Sequence, residues 1–109
     1  MSRKHGSILE ETLSGAKVLT AQEFTDYGSY WVDPGGSARN VDLPAASAAL
    51  VGQRLQIDNR ADAAETLTVR LTAGGTTVAT VDQNEGCVVY CVGATAPTFV
   101  AYMLKVAAT

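Results

Sequence analysis

The side chains that could do chemistry in this chain are carboxylates, hydroxyls and thiols. The carboxylates are Glu10, Glu11, Glu23, Asp26, Asp33, Asp42, Asp58, Asp62, Glu65, Asp82 and Glu85. Asp58, Asn59 and Asp62 stand close enough to suggest a calcium loop. They lack the regular oxygen ligands and the central glycine that an EF-hand loop needs, so they read as turn-forming, solubilising residues. Ser7, Ser14, Ser29, Ser37 and Ser47 have one imidazole to call on, His5, which lies in the N-terminal tail. A Ser-His-Asp relay needs that imidazole held against both partners inside a folded region. Gly35-Gly36 and Gly74-Gly75 are not followed by the helix and the Lys-Ser/Thr pair of a phosphate-binding loop. Cys87 and Cys91, if in one strand, share a face but sit about 13 Å apart at roughly 3.3 Å per residue. A disulfide needs Cα atoms within about 7 Å, so these read as two small buried hydrophobes. The chain is expected to be no enzyme, with no metal and no cofactor.

Tyr27, Tyr30 and Trp31 form the one aromatic cluster. Aromatic side chains serve the core, subunit contacts and sugar platforms alike, so all three uses stay open for them.

The elements that must position these residues are strands. Thr66 to Thr72 alternates without a break, placing Leu67, Val69 and Leu71 on one face and Thr68 and Arg70 on the other. Gly74-Gly75 turns the chain into a second strand, Thr76 to Val81. Further strands are expected at 16–20, 29–32, 39–43, 53–58, 87–92 and 98–106, with Gly, Pro, Asn and Asp between them. Residues 21–28 read as a loop with Phe24 tucked beneath the sheets, and 45–51 as a turn. Ser7 with Glu10 three residues on resembles a helix-starting capping box, so 8–13 reads as one or two helical turns of an arm over 1–15. The fold class is all-β: about eight strands in an antiparallel, jelly-roll-like sandwich over 16–109, with an extended N-terminal arm.

Composition limits the partners. Of 109 residues, 47% are hydrophobic and only 17% charged, below the usual quarter. The net charge of −3 argues against nucleic acid, which would need a basic patch. No run approaches the roughly 18 apolar residues of a membrane span. The last two strands are apolar on both faces, whereas an antiparallel sandwich wets one face of each strand. Something must cover the second face, and a homo-oligomer is the expectation.

The order of these segments carries a resemblance. Val18-Leu19-Thr20-Ala21 is followed by Arg39-Asn40-Val41-Asp42-Leu43-Pro44-Ala45-Ala46, then by Leu50-Val51-Gly52-Gln53-Arg54-Leu55-Gln56-Ile57-Asp58-Asn59. A Thr/Val-rich strand, a Gly-Gly turn and two closing strands come after. Over about residues 16 to 106 this resembles the small β-sandwich modules of tailed-phage decoration (cement) proteins and head or tail fibres. The family's aromatic in the last strand, often Trp, is replaced here by Phe99 and Tyr102. The resemblance implies a structural virion protein on the outer capsid surface, made in the host cytoplasm. It implies a homotrimer clamping the major capsid protein. On that reading Arg3, Lys4, Ile8, Leu9 and Leu13 dock on the capsid, and Tyr90, Tyr102 and Leu104 join the copies. The alternative is a receptor- or carbohydrate-binding module of a fibre or tail, working through Tyr27, Tyr30 and Trp31.

Overall fold

The computed structural model describes residues 7–72 and 75–105. Nine strands and one short helix run in the order β1 (Ile8–Thr12), β2 (Lys17–Val18), α1 (Ala21–Asp26), β3 (Ser29–Asp33), β4 (Arg39–Asp42), β5 (Arg54–Asn59), β6 (Leu67–Arg70), β7 (Thr77–Val81), β8 (Glu85–Cys91) and β9 (Phe99–Lys105). The all-β class stands. The strands form a five-stranded sheet, β1-β3-β5-β8-β9, and a four-stranded sheet, β2-β4-β6-β7.

The expected all-antiparallel, jelly-roll order is corrected by this topology. From β1 to β6 the chain visits the two sheets in turn. Each return lays the new strand parallel to the previous visitor: β1 with β3, β3 with β5, β2 with β4, and β4 with β6. The chain thus wraps around its own core before it folds back. Only β6–β7, β5–β8 and β8–β9 are antiparallel. Alternating side chains look the same in a wrap and in a hairpin, because the period of two is a property of one strand. The difference lies in the connections. Those from β1 to β6 each cross from one sheet to the other, and so does the short one between β7 and β8, so length alone does not reveal a wrap.

Both sheets turn their apolar rows inward on one core. Tyr30, Val32, Leu55, Ile57, Cys87 and Val89 come from the larger sheet; Val41, Leu67, Val69 and Val81 come from the smaller. Leu19, Leu43 and Leu50, all outside regular strands, close the core together with Phe24. The Phe24 ring meets Phe99 edge-on, with centroids 5.7 Å apart. The expected Thr66–Val81 hairpin is present as β6 and β7, with a register irregularity between Val69 and Arg70.

Two segments differ from the sequence reading for one reason. The pattern Ser/Thr-x-x-Glu occurs twice, at Ser7–Glu10 and at Thr20–Glu23. The second makes a true capping box: the Thr20 hydroxyl accepts from the Glu23 N–H, and the Glu23 carboxylate accepts from the Thr20 N–H. Residues 21–26 are therefore helix, not loop. At the first, Ile8–Thr12 is a strand laid along β3, not helical turns. A helical turn that short is marginal alone, and an adjacent sheet edge offers it a full ladder. Residues 8–13 are accordingly part of the body rather than a separate arm, for Leu13 is in the core.

Candidate functional site

The outward face of the five-stranded sheet carries the residues with most to offer a partner. Side chains alternate along β3, so Tyr30 and Val32 enter the core while Ser29, Trp31 and Asp33 face out. The register sets Trp31 beside Glu10 of β1 and Asp58 of β5. Farther across, Gln56 meets Val88 and Val88 meets Tyr102, while Tyr90 meets Val100. The face thus has a polar end around Trp31 and an apolar end over β8 and β9.

At the polar end, Glu10, Thr12, Trp31, Asp33 and Arg60 line a shallow depression of about 360 Å³. The Arg60 guanidinium lies 4.3 Å from the centroid of the Trp31 ring. That is a cation-π stack, and it occupies one face of the indole. Beside it, the carboxylates of Asp33, Asp62 and Glu65 have oxygens within 4.8 Å of one another. Asp62 is exposed, Asp33 and Glu65 are half-buried, and the Glu65 Oε1 is buried with no hydrogen-bond partner among the described residues. Asp58 and Asn59, considered above with Asp62, go elsewhere. Asp58 accepts from the Gln56 amide, and Asn59 is buried, tied to the Glu65 and Val81 carbonyls and to the Ala61 N–H. No histidine lies among the described residues.

At the apolar end, the three residues expected to join copies are brought together. Tyr90 and Tyr102 pack edge-to-face with centroids 5.7 Å apart, and Leu104 is on the same outward row. Tyr102 is 62% exposed and Leu104 39%. Met103, pointing to the other face, is 43% exposed as well. The second half of β9 is therefore wet on both faces, and β9 is an outer strand of its sheet.

The remaining expected residues divide. Arg3 and Lys4 lie outside the described residues. Ile8 is exposed on the outward face of β1, but Leu9 packs against the core and Leu13 is buried in it. Tyr27 is half-buried against the core, and Tyr30 is fully buried. Among the described residues, Ile8 and Trp31 are the contact residues expected in the arm and the aromatic cluster that present themselves outward.

Sequence reasoning missed a polar knot on the inner side of β1. Glu11 accepts from the Tyr30 hydroxyl at 2.7 Å, and Lys17 bridges Glu11 and Glu23 at 3.1 and 3.0 Å. Burial, followed by the hydrogen bond to Glu11, pushes the Tyr30 phenol well above its ordinary range, so it remains a donor. Burial works to lower the pKa of Lys17, but its bonds to Glu23 and Glu11 carry it upward. Burial likewise opposes ionisation of Glu23, and the Thr20 N–H and Lys17 together outweigh it and lower its pKa. The knot fastens β1 to β2, β3 and α1. A carboxylate at an inward position of β1, with a lysine six residues on, was the available signal.

Comparison with protein-family models, with curated proteins and with solved structures returns no match. The fold and the residues of this chain must carry the functional reading.

Proposed function

We propose that this chain is a non-catalytic structural protein whose copies associate: a phage capsid decoration protein that binds the outer surface of the head as a homotrimer and stabilises the shell. The observation that supports self-association is the second half of β9. Tyr102, Met103 and Leu104 are large, apolar and exposed on both faces of an outer strand. Natural proteins blunt such edges with charge, proline or a bulge, and Tyr102–Leu104 carries none of these. The virion setting and the number three rest on the sequence resemblance. A multimer suits that role, because several weak contacts on one lattice combine through effective concentration. A ligand that binds the expanded lattice preferentially stabilises it by mass action.

Two measurements test this. Light scattering of the purified chain should give the mass of an oligomer, and a monomer at micromolar concentration removes the basis for it. Heads of the encoding phage lacking this protein should gain thermal stability when it is added back, and no gain refutes the cement role.

The depression at Trp31 favours a second reading, a glycan- or receptor-binding module. An indole rimmed by carboxylates is a plausible sugar platform in chemical terms. Arg60 already covers one ring face. Glycan binding that disappears in Trp31→Ala would favour this reading over the first.

A further inference from the structure

The five-stranded sheet has two outer strands, β1 and β9, and they fit each other. Strands β1, β3 and β5 run parallel; β8 runs against β5, and β9 runs against β8. It follows that β9 and β1 point the same way. An axis along the strands could therefore bring β9 of one copy beside β1 of the next by simple rotation, with the strands parallel.

The backbone alternation also agrees. Cys91 donates to the Gln53 carbonyl, so Cys87, Val89 and Cys91 bond toward β5, and Val88 and Tyr90 bond toward β9. On β9 this leaves the N–H and C=O groups of Ala101 and Met103 facing away from the sheet. On β1, the Leu13 N–H donates to Asp33 and the Ser7 carbonyl accepts from Ser29, so odd residues bond inward. Ile8 and Glu10 point their N–H and C=O groups away from the sheet. In a parallel ladder, one residue bonds to the neighbours on either side of the residue opposite it. Met103 opposite Leu9 meets that requirement, bonding to Ile8 and Glu10. The same register puts Met103 and Leu9 on the core side, and Tyr102 and Ile8 together on the outward side.

The side chains match as well. Ile8 is 42% exposed at one edge, and Tyr102 and Leu104 are exposed at the other. The single charge of β9 is Lys105, and β1 carries Glu10 and Glu11. A β1 strand paired with another β1 would crowd those carboxylates, and like charges across a ladder are destabilising. β1 against β9 avoids that crowding, and in the register above it brings Lys105, which also pairs with Glu85, opposite Glu11.

We infer that the β9 edge of one copy adds to the β1 edge of the next as a parallel strand, with Tyr102 opposite Ile8, joining the sheets of the copies into a closed ring. This deepens the self-associating reading and rests on it. It assigns Ile8 to the contact between copies rather than to the capsid. A ring of this kind leaves no free edge in the larger sheet, which accounts for the exposure at both ends of it.

Disulfide trapping tests the contact. The variants are Ile8→Cys, Tyr102→Cys and the double variant, with Glu10→Cys/Leu104→Cys as a second pair in the same register. All four positions are at least partly exposed, so the core is spared, and the native Cys87 and Cys91 are buried. On mild oxidation each double variant should give covalent dimers and trimers on a non-reducing gel, and the single variants none. Neighbouring strands lie close enough for the bond to form. Crosslinking of Tyr102→Cys alone would overturn the proposal in favour of β9 against β9. An oligomer by light scattering that no pair crosslinks would also overturn it, while leaving self-association intact. A monomeric mass would remove both.

Discussion

At the scale of single residues, the buried polar groups bear most directly on stability. Asn59 is 1% exposed and ties β5 to the end of β7 through the Val81 carbonyl, and to the intervening loop through Glu65 and Ala61. Asn59→Ala strands two buried carbonyls and an N–H, and is expected to cost about 1–3 kcal/mol or more. The urea midpoint should fall with the slope unchanged. Titration gives a second expectation. Glu23 and Glu85 have folded-state pKa values below the ordinary 4.5, the latter chiefly through its bond to Lys105. A depressed carboxylate stabilises the fold above its unfolded value and stops doing so as pH falls through the folded one. Lys17 and Lys105 are raised above 10.5, so their contribution persists below that value and is lost on the alkaline side. From these groups, thermal stability should be level between about pH 5 and pH 10 and fall below about pH 4.5. Glu23→Gln should lower the neutral melting temperature and flatten the acid fall. Burial, foremost, pushes the Cys87 thiol up to about 12. Thiol reagents at neutral pH should therefore label it only at the rate of unfolding. Early labelling would mean that β8 opens locally. The partners of Asn59 were not legible in the sequence, for Asn59 sits among Asp and Arg residues and looks like a turn former. Its role appears only when β7 arrives beside it.

At the scale of elements, the strands were readable and their neighbours were not. The alternation at Leu67, Val69 and at Leu55, Ile57 named both strand and inward face correctly, because that pattern is local. Pairing is not local, and parallel wraps share every strand-level signal with hairpins. The two Ser/Thr-x-x-Glu patterns show the same limit. Thr20 caps a helix because α1 can lay Phe24 into the core. Residues 8–12 extend because β3 has an open side. Thr20→Ala should cost about 1 kcal/mol by removing the cap. Gly86 offers a sharper probe. A Cβ there would run into the Asp58 carboxylate and approach the Ile57 carbonyl oxygen to 3.1 Å. Gly86→Ala should thus loosen the β5–β8 pairing, visible as faster amide exchange along both strands. Removal of residues 1–14 is expected to unfold the protein, because Glu11 and Leu13 go with them. Circular dichroism of the truncated chain checks this.

At the scale of the whole molecule, the candidate site was half legible. The double-sided apolar character of β9 was legible, and the second half of the strand is exposed on both faces; what covers it was not legible. For Tyr30 the core, one of the three uses left open, is the one the structure shows, because adjacent Tyr and Trp in a strand must face opposite ways and the sequence does not say which faces in. Tyr102→Lys, at a 62% exposed position, should leave the melting of the folded protein nearly unchanged while shifting the light-scattering mass toward a single copy. An unaltered oligomer would place the contact elsewhere. The winding of β1 to β6 has a bearing on how such a molecule is made and how it can vary. Each circuit adds one strand to both sheets at the same side as the last, so the stretch from β1 to β6 can settle progressively as it leaves the ribosome. The reversing strands β7 to β9 then act as a terminal clasp. Lengthening the gene by a circuit of about 20 to 30 codons would build a taller body without disturbing either end. Length in such proteins should therefore change in whole circuits, and insertions of half a circuit should be rejected.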